Sequence, residues 1–142
     1  MTGYIENTSL LLGRLLLGLY FILPGLAKVR DFAGTSAYMA AHDVPLIPVL
    51  LVITILIQLG AGVALIVGFK GKWAALLLAL LTVAISIYMH NFWAVSDVTA
   101  RAHETQNFVK NMAIVAGLLM VSALGTGRFS FDGRTPRGQM SD

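Results

Sequence analysis

The chain has 142 residues, of which 57% are hydrophobic and 12% charged, with a net charge of +3 and no cysteine. A soluble domain carries about 25% charged residues and cannot expose so much apolar surface without aggregating, so an ordinary water-soluble domain is excluded. Without cysteine, disulfides, thiol relays and Cys-ligated zinc or iron–sulfur clusters are excluded as well.

Residues 1–9 form a short polar lead in which Asn7, Thr8 or Ser9 can cap a first helix. Leu10–Ala27 is apolar apart from Arg14, with Pro24 near its end as a possible kink. Val44–Phe69, Trp73–Ser96 and Asn111–Gly127 contain no Asp, Glu, Lys or Arg. A hydrocarbon core of about 30 Å takes about 20 apolar residues per helix. The chain therefore reads as an all-α, polytopic membrane four-helix bundle, with spans over residues 10–27, 46–69, 73–89 and 108–124. These form one domain over residues 10–127, because no polar linker divides them.

Lys28–Asp43 is a polar connection with a short interfacial helix predicted over Phe32–Ala41, and Pro45 and Pro48 mark the start of the second span. Gly68 and Lys70-Gly71-Lys72 make a tight turn, and Trp73 is an interfacial anchor for the third span. His90–Lys110 is the second polar connection. Gly125-Thr126-Gly127 ends the fourth span, and residues 128–142 form a polar tail predicted to be disordered towards its end. Small residues four apart predict helix–helix seams: Gly60, Ala64 and Gly68; Ala75 and Ala79; Ala113 and Gly117. Arg14, the Leu run and Gly25-Leu26-Ala27 also imitate a signal peptide, an alternative that would leave three spans.

With four spans both termini share a side with the Lys70–Lys72 turn. That side collects Lys70, Lys72, Arg128, Arg134 and Arg137, against Lys28, Arg30, Arg101 and Lys110 opposite, so the positive-inside rule places the termini in the cytoplasm. These cations lie at helix ends and in the tail, which suits lipid headgroups and not nucleic acid. His42, His90 and His103 all fall on the opposite face, so a polar site would open there.

Ionisable groups within a bilayer are costly and face the bundle interior, a cavity or the headgroups. For Arg14 two readings are open: snorkelling to its own interface, or an internal contact with an anion or ligand. Gln58 is either interhelical glue or a ligand contact. His90 is either an interfacial histidine or a proton or oxygen partner near neutral pH. Lys28, Lys110 and Asn111 complete the candidate set. Thr54, Thr82, Ser86 and Ser122 can satisfy their hydroxyls on their own helices. No histidine pair stands at i,i+3 or i,i+4, and no Walker A loop, nucleophile elbow or dinucleotide fingerprint occurs, so no catalytic or metal-ligating residue is assigned.

Several segments together resemble the DoxX family. Gly13-Arg14-Leu15-Leu16-Leu17-Gly18 through Pro24-Gly25-Leu26-Ala27-Lys28 is similar to its first helix, and Phe32–Val44 with His42-Asp43-Val44-Pro45 to its first connection. His90-Asn91-Phe92-Trp93, Gln106–Asn111 and Gly125-Thr126-Gly127-Arg128-Phe129-Ser130-Phe131-Asp132 resemble its later segments. Gln58 stands where the family usually has Glu, so neither proton carriage nor an ion pair with Arg14 carries over; an amide can still accept a hydrogen bond from Arg14.

The resemblance implies a small bacterial inner-membrane protein associated with redox systems, some of them quinone-linked. The expected function is thus a non-catalytic subunit or accessory of such a system, in which Arg14, Lys28, Gln58, His90, Lys110 and Asn111 contact a quinone or small anion. Its partners would be the lipid bilayer, a redox enzyme or further copies of itself. The alternatives are a membrane scaffold or assembly factor without ligand chemistry and, less favoured by so few titratable core groups, a proton or small-solute conduit.

Overall fold

The computed structural model describes residues 2–134. Six α-helices follow one another: α1 Thr2–Arg30, α2 Phe32–Ala40, α3 Ile47–Val67, α4 Gly71–Met89, α5 Val98–Leu124 and α6 Phe131–Arg134, with a 3₁₀ turn at Phe92–Ala94. Among the described residues there is no strand. Four of the helices, α1, α3, α4 and α5, are long and apolar enough to cross a membrane. Their outward faces carry Leu16, Leu23, Leu56, Leu80 and Met120, each more than 60% exposed. Water does not tolerate such a surface, and lipid does.

α3 has 21 residues and α4 has 19, which matches the hydrocarbon thickness at a rise of about 1.5 Å per residue. α1 has 29 residues and α5 has 27, so both outrun it. The polar lead is helical from Thr2, and α5 starts ten residues before the expected 108. Its start is fixed by Asp97, whose carboxylate accepts from Ala100 N at 2.7 Å. Asn7 does not cap α1. Its Nδ2 donates to Gly3 O at 2.5 Å, and its Oδ1 accepts from Arg128 N at 2.8 Å. The short helix α2 is capped by Asp31, which accepts from Gly34 N at 2.9 Å.

α1 packs on α3, α3 on α4 and α4 on α5, while α1 and α5 touch only lightly. The buried core joins Phe21, Ala61, Leu65, Ala74, Ala75, Leu78, Ala79, Leu118 and Val121. Ala75 and Ala79 lie in a seam as expected, but Gly60 and Ala113 do not: both face outward. A close backbone approach is made instead by Gly18 of α1 and Gly62 of α3. A Cβ on Gly18 would lie 2.3 Å from Ile66 Cγ1 and 2.9 Å from Gly62 O, so only hydrogen fits there.

Arg14 does not snorkel to its interface. It is 0% exposed and sits under the C-terminus of α3. Its Nη1 donates to Ile66 O at 3.0 Å and Leu65 O at 3.3 Å, and its Nη2 donates to Phe129 O at 2.6 Å. A helix C-terminus carries partial negative charge, so a guanidinium bridging its last carbonyls is both bonded and electrostatically favoured. Gly68 ends α3 at φ +70, and a Cβ there would stand 2.4 Å from Arg14 Nη1.

Residues 128–134, expected as part of a polar tail, instead form a closing segment across this end of the bundle. Asp132 accepts from Lys70 N and Gly71 N, both at 2.9 Å, and so caps the N-terminus of α4 from a distant part of the chain. Ser130 accepts from Thr126 Oγ1 and Gly133 N, both at 3.0 Å, and holds the segment's own turn. Tyr4 and Phe129 meet edge to face at 6.2 Å. The expected disorder falls mainly on residues 135–142, which lie outside the described residues. Asp132→Ala should cost about 1–2 kcal/mol, since it removes the α4 cap and its favourable charge, and Asp132→Asn should recover part of the loss. Thermal unfolding in a mild detergent reads both.

Candidate ligand-binding cavity

At the opposite end of the bundle a cavity of about 560 Å³ lies among α1, α2, α3, α4 and α5. It is as large as a small-molecule site. Each helix contributes a stripe at helical spacing: Tyr20, Pro24, Ala27, Lys28 and Asp31; Leu51, Thr54 and Gln58; Thr82, Ile85 and Met89; Asn107, Lys110 and Asn111. α2 covers one side through Thr35, Tyr38 and Met39.

Five of the six candidate site residues converge there: Lys28, Gln58, His90, Lys110 and Asn111. Arg14 is not among them. It lies where α3 ends, and Gln58 is about two turns earlier on that helix, so the hydrogen bond envisaged between the two does not form. Both Nη groups of Arg14 donate to backbone carbonyls, while among the described residues its buried Nε has no partner.

The polar floor is mostly satisfied. Thr82 Oγ1 donates to Leu78 O and Ser86 Oγ to Thr82 O, both at 2.7 Å, as hydroxyls on apolar helices do. Asn111 Nδ2 donates to Ser86 Oγ at 3.0 Å, and Asn111 Oδ1 accepts from Tyr20 Oη at 3.3 Å. This chain ties α4 to α5 and α5 to α1 across the cavity. Gln58 differs. It is 4% exposed, and among the described residues its Oε1 has no hydrogen-bond partner. A buried unpaired acceptor costs about 1–3 kcal/mol, and here it lies beside a cavity that can bring a donor to it.

The rim is charged. Lys28 is half-buried in the last turn of α1, and Lys110 Nζ donates to Asn107 Oδ1 at 3.2 Å. His90 Nδ1 lies 2.7 Å from Glu104 Oε2, and His103 Nδ1 lies 3.9 Å from Glu104 Oε1. His90 is thus held by a carboxylate of α5, and the edge-to-face cluster of Phe92, Trp93 and Phe108 packs beside that joint. His42 lies further out, against the Tyr38 ring at 4.5 Å. Burial, and secondarily the Glu104 charge, holds the Tyr38 phenol above its ordinary value, so Tyr38 stays a neutral donor at neutral pH.

Tyr20, Asp31 and Tyr38 were absent from the candidate set. Tyr20 stands eight residues before Lys28 and so shares its face, a signal that a helical wheel of α1 contains. Among the described residues no three His, Asp or Glu side chains gather as a metal set.

The chain is similar to two proteins of Escherichia coli K12. One is the inner membrane protein YqjF, 31% identical over 90% of this chain and 92% of its own length. The other is the inner membrane protein YphA, 30% identical over 93% and 94%. It is also similar, at 29% identity over 56% of this chain and 25% of the relative, to the ER-derived vesicles protein ERV29 of Saccharomyces cerevisiae. No solved structure matches the chain. The DoxX family model matches residues 9–91, from the start of the first span to the end of α4, and with relatives aligned along nearly their whole length the chain belongs to the DoxX family.

Proposed function

We propose that this membrane protein is a quinone-binding accessory subunit of a redox system in a bacterial inner membrane, with its termini in the cytoplasm. The observation that carries the reading is Gln58: a buried amide whose oxygen has no partner among the described residues, beside a cavity of about 560 Å³ at one end of the spans. A quinone fits this donor set, because its ring needs an apolar slot and its oxygens need amide, phenol or ammonium partners. When bound it supplies a reversible carrier of electrons and protons.

The residues divide the work. Phe21, Leu51, Ile85 and Met89 offer apolar walls. Gln58 and Asn111 present amides, and Tyr20 and Tyr38 present phenols, so a headgroup can be held in either redox state. Lys28 and Lys110 place positive charge at the rim, which opposes negative charge developing on a ligand oxygen. Electron transfer belongs to a partner enzyme; this chain binds and orients. The inner-membrane location rests on the two Escherichia coli relatives, and the orientation on the excess of cations at the termini and the Lys70–Lys72 turn.

Purification in a mild detergent followed by organic extraction should recover quinone with the protein. Gln58→Leu should lower the recovered amount about five- to tenfold, the loss of one buried hydrogen bond, without lowering the unfolding temperature. Lys110→Ala should lower it too. Quinone absent from repeated preparations that retain an intact partner would replace this reading with a scaffold role.

A further inference from the structure

We propose that the groove at the far end of the bundle, beside the closing segment, binds the phosphate headgroup of an anionic phospholipid. The groove measures about 750 Å³ and is lined by Lys70, Lys72 and Arg128. Its one carboxylate, Asp132, spends both oxygens on the N–H groups of Lys70 and Gly71. That carboxylate already answers the α4 N-terminus, so the attraction for an anion comes from the side-chain cations. Among the described residues none of the three cations has a carboxylate within ion-pair distance. Lys72 Nζ donates to Ala123 O at 3.0 Å, which leaves two of its hydrogens for a ligand.

Depth and polarity commit the site to a lipid. The groove lies where α4 begins and α5 ends, at the boundary of the apolar spans. Trp73 and Leu124, on its apolar side, are 72% and 73% exposed, which places an aromatic anchor and an aliphatic side chain where the upper part of an acyl chain would run. Three cations beside one committed carboxylate complement a headgroup of net negative charge better than a zwitterionic one, whose own ammonium offsets its phosphodiester. Lys70 holds a left-handed backbone, φ 46, that glycine adopts more cheaply; its N–H bond to Asp132 fixes that backbone at the groove, and its ammonium lies 6.0 Å from the centroid of the Phe69 ring.

Trp73 makes the site readable, because Trp93 is the only other tryptophan and lies outside the groove. The full chain with Trp93→Phe is placed in phosphatidylcholine vesicles doped with brominated phosphatidylglycerol or brominated phosphatidylcholine, and Trp73 quenching is followed. Brominated phosphatidylglycerol should reach half-quenching at about thirtyfold lower mole fraction, the order expected for two interfacial cations. Lys70→Asn with Arg128→Ser should bring the two lipids to within about twofold, Asn being tolerant of the left-handed backbone. Lys70→Arg with Arg128→Lys should keep the preference. Millimolar inorganic phosphate should not relieve quenching. Equal quenching by the two lipids, a preference that survives neutralisation, or relief by free phosphate would each overturn the proposal. Bound quinone is measured separately, so this result does not depend on the cavity.

Discussion

Gly18→Leu is expected to separate α1 from α3 and to cost about 3 kcal/mol or more, at the upper end for overpacked sites. The Cβ alone would stand 2.9 Å from Gly62 O, a backbone atom that cannot rotate away, and 2.3 Å from Ile66 Cγ1, which can. Gly18→Ala should therefore already cost about 1–3 kcal/mol. Gly62→Ala should behave similarly, because its Cβ would meet Ile22 Cγ1 at 2.9 Å and Gly18 O at 3.3 Å. Gly60→Ala and Gly13→Ala meet nothing within 4 Å and should be neutral or stabilising by about 0.5–1 kcal/mol, through helix propensity alone. Unfolding by SDS titration in mixed micelles measures all of them, and equal effects of Gly18→Ala and Gly60→Ala would contradict the seam.

Arg14→Met should cost about 1–3 kcal/mol or more, the loss expected when buried carbonyls lose a charged donor. It strips three backbone carbonyls, those of Leu65, Ile66 and Phe129, of their guanidinium partner. Arg14→Lys should recover only part of the loss, because one ammonium cannot span carbonyls that a planar fork bridges. A snorkelling arginine would instead make Arg14→Met nearly neutral. The variant has a second readout. Phe129 O is one of its bonds, so loosening the closing segment should speed trypsin cleavage at Arg128 in detergent.

The four spans were legible because an uncharged run of the right length has few other uses. Their ends were not. The first turns of α1 and the first ten residues of α5 are polar, and a helix that leaves the bilayer loses its hydropathy signal while keeping its hydrogen bonds. Lys28, His90, Lys110 and Asn111 were legible as polar groups at the rims of the spans on the histidine-bearing side, where antiparallel threading brings them together; Gln58 was legible as the polar residue near the middle of its span. Arg14 was grouped with them by chemistry, although its place near the start of α1 puts it at the other end. The true α1–α3 seam was hidden because Gly18 and Gly62 pair across helices, one residue from each, and a search for small residues four apart within one helix passes over them. The closing segment reads as tail by composition; its order comes from Asp132, Ser130 and Arg14, contacts that only the folded chain displays.

The bond from Arg14 to Phe129 joins residues 115 apart, so the ribosome makes the guanidinium long before it makes the carbonyl. During synthesis α1 enters the bilayer carrying an uncompensated cation, and its first help comes when α3 follows. The last bond waits for nearly the whole chain to emerge. Premature stop codons just before Phe129 would therefore leave Arg14 of α1 with two of its three carbonyl partners.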